Sequence, residues 1–333
     1  MTILAALVAV IVLILLPWFG AQQPGLQSIF GTIVPYIAIV LFLGGFIAKV
    51  VRWAMIPVPF RIPTTCGQQK TLPWIESSRF DNPHTTFGVI VRMALEVLFF
   101  RSLFRNTRME IKPGGNVVYG PSKWLWAAAM AFHYSFLIIF IRHLRFFTEP
   151  VPGFIHTLQT LDGFFEIGVP AMYLTSVLLL AAVGFLFLRR IVIPQLRYIS
   201  LANDYFPLFL LLGIATTGIM LRHFAKTDIE SVKEVAVGIV SLKPAAADVL
   251  AKVDPLFFIH FFLVCVLFAV FPYSKLMHMA GVFMSPTRNL ANNNRMKRHV
   301  NPWNQPVKFR TYEEYEDDFR DKMKSADIPV EKE

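Results

Sequence analysis

The chain is 333 residues long, 55% hydrophobic and only 16% charged, with a mean hydropathy of +0.53. Soluble domains carry about 25% charged residues, so these values exclude a water-soluble fold for most of the chain and place it in a membrane. The formal net charge of +10 is then topological, since cytoplasmic loops retain Lys and Arg, and it implies membrane lipid as a partner and no nucleic acid.

Six apolar segments follow in chain order, at roughly 2–18, 31–51, 124–147, 168–190, 206–222 and 256–280. A helix rising about 1.5 Å per residue needs about 20 residues to cross a hydrocarbon core of about 30 Å, so the first and fifth borrow flanking residues. MTILAALVAVIVLILLPWFG has neither a basic start nor a small-residue cleavage site, which reads as a retained anchor and not a removed signal peptide. Pro207 is expected in the first turn of the fifth helix, where its missing N–H costs no hydrogen bond. The runs lack the alternating period of barrel strands. The expected fold class is an all-α integral membrane protein with six transmembrane helices in a helical bundle.

The connections set the orientation. Between the second and third segments the basic residues Arg52, Arg61, Lys70, Arg79, Arg92, Arg101, Arg105, Arg108, Lys112 and Lys123 outnumber Glu76, Asp81, Glu96 and Glu110. That loop is expected in the cytoplasm, as is the turn after the fourth segment, marked by Arg189, Arg190 and Arg197. The opposite connections, such as QQPGLQS and TEPVPGFIHTLQTLDGFFE, are acidic or nearly neutral. Six crossings then place both termini in the cytoplasm and the chain in the cytoplasmic (cell inner) membrane. Within the basic loop, residues 85–104 form an apolar stretch interrupted by Arg92, Glu96 and Arg101. Three charges at mid-bilayer are costly, so an interfacial or partner-covered helix is expected there. The organisation is two amino-terminal helices (1–51), a basic loop (52–123), a four-helix domain (124–284) and a charged tail (285–333).

Four of the eight histidines bracket two apolar runs, HYSFLIIFIRH (133–143) and HFFLVCVLFAVFPYSKLMH (260–278). Imidazole in hydrocarbon is costly unless partnered. Eighteen residues make about five helical turns, so His260 and His278 share a face, while His133 and His143 lie about 80° apart. The third and sixth helices run in opposite directions, which puts His133 at the depth of His278 and His143 at the depth of His260. The two spacings correspond to about 15 and 27 Å along a helix, a mismatch that tilt or a bend at Pro272 can absorb. Either these pairs hold haem iron or they make polar contacts between helices. With Cys66 and Cys265 the only cysteines and no C-x-x-C-H motif, haem would be held noncovalently and the chain alone holds no iron–sulfur cluster. Arg142, Arg145, Arg222 and His223, near the outer pair, are candidates for contacts to propionate or to quinone. His156 is cut off from His143 by the helix-breaking EPVP at 149–152. His84 and His299 lie in loops.

On these positions, and on TTGIMLRH and FPYSKLMH…SPTRN, residues 120–290 resemble the gamma-type membrane cytochrome b of respiratory nitrate reductase. The resemblance implies two haem b groups, an inner one on His133 and His278 and an outer one on His143 and His260. It also implies a quinol site near the outer one and a cytoplasmic iron–sulfur partner at the inner one. The additional amino-terminal helix, the basic loop and the longer tail are similar to the DsrM family, the membrane cytochrome b of DsrMKJOP complexes. That likeness implies menaquinone or menaquinol, a DsrK-like iron–sulfur subunit, and DsrJ, DsrO and DsrP-like partners. It further implies an indirect link to DsrC and dissimilatory sulfur metabolism. A gamma-type subunit of another quinol-linked reductase, or a noncatalytic anchor or transporter component, is the competing reading; a transporter would show paired repeats around a midplane cavity.

Overall fold

Hydrocarbon cannot hydrogen-bond a bare backbone, so long apolar runs close their own bonds as helices. The computed structural model describes residues 2–23, 25–57, 69–105, 108–293 and 306–332; Arg61, Cys66 and His299 lie outside the described residues. In chain order come α1 (Thr2–Gly20), α2 (Val34–Ala54) and α3 (Thr86–Phe99), then a hairpin of β1 (Arg108–Ile111) and β2 (Val117–Gly120). α4 (Lys123–His143), α5 (Gly153–Phe164), α6 (Leu174–Val192) and α7 (Ala202–Ile219) follow. The chain then forms α8 (Ile229–Val240), α9 (Pro255–Val270) and, in the tail, α10 (Tyr312–Ser325). With their flanking turns, α1, α2, α4, α6, α7 and α9 are the six helices long and apolar enough to cross a membrane among the described residues. The chain is a multi-pass, all-α membrane protein, with one small hairpin among the described residues.

Three boundaries differ from the sequence expectation, each for a local reason. The fourth span begins at Leu174, because Ile167 and Met172 exchange backbone hydrogen bonds of 2.8 and 2.9 Å just before it. The fifth begins at Ala202, where the Asp204 carboxylate accepts the Leu201 N–H at 3.0 Å and caps the end; Pro207 therefore lies inside α7 and not in its first turn. The sixth stops at Val270. Phe271–Tyr273 tighten into a 3₁₀ turn around Pro272, and Ser274 is extended at φ −112°, ψ 175°. His260 and His278 are thus not on one continuous helix, and the five-turn argument for a shared face does not apply to them.

α6 packs between α4 and α7, and α7 packs on α9; α1 crosses α7 and α9, and α2 lies along α9. Val10, Leu210, Ile259 and Leu263 form one buried cluster joining α1, α7 and α9, and Leu179, Val183, Leu211 and Ala215 join α6 to α7. Gly45 permits the approach of α2, since a Cβ there would lie 2.8 Å from Pro272 Cβ. α4 and α9 complete the ring without packing closely on each other. The four histidines stand on that side.

Residues 69–105 and 108–122 are more ordered than their composition implies. α3 starts where Thr85 accepts the Gly88 N–H at 3.1 Å and spans 14 residues, about 21 Å and too short to cross. The hairpin is a feature the sequence reading missed, although KPGGN carries its signal: Gly114 and Gly115 adopt φ of +91° and +79°, open to glycine without strain. In the tail, Glu316 is buried and accepts the N–H groups of Glu331 (2.6 Å) and Lys332 (2.8 Å), folding the end of the chain back on α10.

Asp81 ties this segment together, pairing with Arg101 at 3.0 Å and Arg105 at 2.7 Å. Burial raises its pKa, but hydrogen bonds from Arg105 and Arg101 outweigh that and hold the carboxyl below the usual value. Its stabilisation is therefore complete at neutral pH and lost as pH falls below about 3.9, through the depressed value. Replacement Asp81→Asn is expected to cost about 1 kcal/mol or less, read as faster amide exchange across residues 98–105 at neutral pH. The difference from the parent should vanish in acid.

Candidate functional site

α4 carries two of the four rings, ten residues apart on continuous helix, about 15 Å along the axis. His278, the first residue of a short helix after the break at Ser274, meets His133 with ring centroids 6.0 Å apart and planes at 85°. His260 in α9 meets His143 at the end of α4 with centroids 6.4 Å apart and planes at 21°. With bonds of about 2.0 Å and ring nitrogens about 1.1 Å from each centroid, a metal ion held by one nitrogen of each ring would place the centroids at most about 6.2 Å apart. Both pairs lie near that limit.

The hydrogen bonds decide which nitrogen is open. Nδ1 of His133 lies 2.7 Å from the Ala129 carbonyl, Nδ1 of His143 2.7 Å from that of Ile139, and Nδ1 of His278 2.8 Å from that of Lys275. A carbonyl only accepts, so each Nδ1 carries the proton and each Nε2 the lone pair. Nδ1 of His260 lies 2.9 Å from the Thr217 hydroxyl, which is itself 2.7 Å from the Gly213 carbonyl and donates to it; the hydroxyl oxygen accepts from the ring. All four rings thus present the tautomer of a metal-binding histidine whose second nitrogen is anchored. Gly218 completes the seat of His260, since a Cβ there would lie 3.1 Å from the ring.

Among the described residues no group of three or more His, Cys, Asp or Glu is placed to hold an ion. A protein-only zinc site, which takes three or four ligands, is not formed. Each pair offers two imidazoles and no further protein ligand, a donor set that fits haem, whose macrocycle would supply the remaining ligands. His84 and His156 join neither pair.

At the His143/His260 end the other candidates converge on Tyr173, which the sequence reading did not single out. Two guanidiniums lie over its ring, Arg142 Cζ at 4.1 Å and Arg222 Cζ at 4.4 Å from the centroid. Its hydroxyl accepts from Arg222, and His223 packs edge-on against it at 5.6 Å. Arg142 pairs with the buried Asp162, which also accepts the Thr175 N–H at 3.1 Å and hydroxyl at 2.6 Å. Arg145 donates to Gln159 at 2.9 Å. Of the three arginines, only Arg142 has a carboxylate partner among the described residues. Arg142 Nε and His223 Nε2 are buried with no protein partner. Excess positive charge, with the Arg142 Nε–H donor buried and unpaired, suits an anionic or strongly polar group.

Residues 85–299 match the family model described as nitrate reductase gamma subunit. A protein of Archaeoglobus fulgidus described as an Hdr-like menaquinol oxidoreductase cytochrome b-like subunit is 45% identical over 279 residues, 83% of each chain. A protein of the same description from Archaeoglobus profundus is 45% identical over 273 residues, 81% of each chain.

Thr217 gives a direct test of the seat. Replacement Thr217→Val removes the hydroxyl that anchors His260 and is expected to cost about 1–2 kcal/mol, measured by unfolding in mixed detergent micelles. Thr217→Ser, which keeps the hydroxyl, should recover most of the loss.

Proposed function

The chain belongs to the nitrate reductase gamma subunit family, and on that premise we propose that it is the cytochrome b-like subunit of a menaquinol-linked oxidoreductase complex, holding two noncovalent haem b groups. The observation that carries this reading is the double imidazole pair with all four Nδ1 atoms anchored. His133 and His278 would hold one group and His143 and His260 the other. Haem held by two imidazoles supplies one-electron chemistry with no open position for substrate.

The chain's own residues supply the rest. The Ala129, Ile139 and Lys275 carbonyls and the Thr217 hydroxyl fix each ring's tautomer and raise its basicity. Arg142, Arg145 and Arg222 attract propionate or a developing quinol oxyanion at the His143/His260 end. Quinol oxidation releases two protons, and His223 Nε2, buried and unpaired, is the group we assign to accept one. We place this end outside and the His133/His278 end, with both termini, in the cytoplasm, because the basic residues of 52–123 adjoin the latter.

On the cytoplasmic face we assign a DsrK-like iron–sulfur subunit docked on the 52–123 segment and the tail after Ser285. Further DsrJ, DsrO and DsrP-like subunits belong to the same reading, with DsrC chemistry carried out beyond this chain. The likeness of most of the chain to the DsrM family supports this assignment. Cross-linking in native membranes should recover the iron–sulfur subunit from those two segments; contacts confined to 148–167 and 223–255 would reverse the orientation.

Acid–acetone extraction of the purified chain should release all pigment, about two haems per chain. His278→Ala and His260→Ala should each remove a different component in a potentiometric titration, and identical losses from a folded protein would refute separate ligation. Arg222→Ala or His223→Ala should slow menaquinol-driven reduction by about tenfold, the scale of one charge-assisted hydrogen bond, at unchanged haem content. Undiminished reduction in the double variant would remove the outer quinol site.

A further inference from the structure

The backbone turns sharply at Phe100, between α3 and the short helix Arg101–Phe104. Phe100 sits in the left-handed region at φ 49°, ψ 45°, which a bulky side chain rarely adopts because its Cβ crowds the carbonyl. Such a conformation persists only where its surroundings over-determine it, and here they do. Helix ends leave carbonyls unpaired, and two side chains of α4 capture those at the end of α3: the Trp126 indole N–H donates to Phe99 O at 2.7 Å, and the Tyr134 hydroxyl donates to Leu98 O at 2.8 Å. Glu96 accepts the Ser102 N–H at 3.1 Å, and Leu103 N–H returns to Phe100 O at 2.9 Å. Phe104 packs edge-on against Trp126 at 5.1 Å, and Arg101 is held by Asp81.

This clamp delivers one thing, the Phe100 ring, set edge-on against His133 with centroids 4.8 Å apart. Phe132 flanks the same imidazole from α4 at 4.9 Å, and His278 faces it. A glycine would satisfy the turn without strain; a phenylalanine there makes sense through its ring. Packing alone would not require α4 to spend the hydrogen bonds of both Trp126 and Tyr134 on the last carbonyls of a helix outside the bundle.

We infer that the 96–104 turn is a built cap over the His133/His278 pair, with Phe100 as a positioning residue that fixes the His133 ring and keeps water from it, and with Trp126 and Tyr134 as its latch. The consequence for redox chemistry rests on the haem reading proposed above. Water admitted to that centre stabilises its more highly charged, oxidised form, so loss of the cap lowers its midpoint potential. The cap itself stands on contacts within the chain.

The decisive variant is Phe100→Gly, which relieves the left-handed strain while deleting the ring, so the turn survives and only the shield is lost. In the full-length chain, the centre that disappears in His278→Ala should shift to lower potential in Phe100→Gly, while the centre that disappears in His260→Ala stays unmoved. Trp126→Phe and Tyr134→Phe, which keep their rings, should raise amide exchange in residues 98–104 several-fold. In protein stripped of haem, diethyl pyrocarbonate should label His133 several-fold faster in Phe100→Gly than in the parent, with His260 unchanged. The cap is overturned if exchange in both latch variants matches the parent, or if labelling and potential in Phe100→Gly are both unaltered. A purified chain that binds no haem instead refutes the proposed function, and labelling and exchange then decide the cap alone.

Discussion

An imidazole has two ring nitrogens, and in an apolar bundle neither can be left to water. Everything distinctive in this structure follows from how that demand is met four times. In three of the rings Nδ1 bonds a carbonyl of its own helical turn, at Ala129, Ile139 and Lys275. These anchors are local, and they form wherever the turn forms. His260 differs, taking its anchor from Thr217 on the neighbouring helix. It therefore needs α7 and α9 in register and a bare Cα at Gly218 beside the ring. The fourth ring is thus held by tertiary packing, and the α7–α9 contact is as much a part of the site as the histidine.

The same demand explains why the sixth span is broken. A continuous helix through 260–278 would set its two histidines about 27 Å apart against about 15 Å on α4. Ending α9 at Val270 and turning twice through 3₁₀ geometry brings His278 back to the level of His133. The break is secured at Lys275, whose carbonyl anchors His278 while its ammonium reaches Asp204 Oδ1 at 2.5 Å. Asp204 also caps α7. One carboxylate therefore links the start of α7 to the turn that positions His278.

The two ends of the bundle are built differently around this common element. At the His143/His260 end, the termini of α4, α6 and α7 gather guanidiniums around one tyrosine, with Asp162 taking up part of their charge. At the other end the surroundings are aromatic and apolar, supplied by Phe100 and Phe132. Positive charge at one end suits anionic and proton-releasing groups, while at the other phenylalanine rings flank His133. Two similar imidazole pairs are in this way given unlike environments.

How much of this is legible in the chain depends on the range of the interaction responsible. Composition and run length determine six membrane-crossing helices, because the thickness of hydrocarbon is a property of the solvent and each helix satisfies its own backbone. Opposite helix directions and histidine spacing likewise determine which rings can share a depth, and EPVP separates His156 from His143. Contacts between elements far apart in sequence leave no periodic trace. Asp162 reads as an ordinary loop residue, Tyr173 as part of the apolar run 168–190, Thr217 as one of two adjacent threonines, and Phe100 as one aromatic among 32 phenylalanines. Even the start of α7 and the end of α9 are settled by Asp204 and by the turn at Pro272 and Ser274, which a hydropathy count does not register. Hydrophobicity and backbone self-bonding sum along the chain, so the sequence alone determines the span count and the spacing of His133 and His143 on one helix, while the level of His278 is set by the turn after α9. Nitrogen-by-nitrogen satisfaction of the rings, the seat at Gly218, the arginine–tyrosine cluster and the Phe100 cap depend on directional contacts that exist only once the helices are packed, and only the tertiary structure decides them.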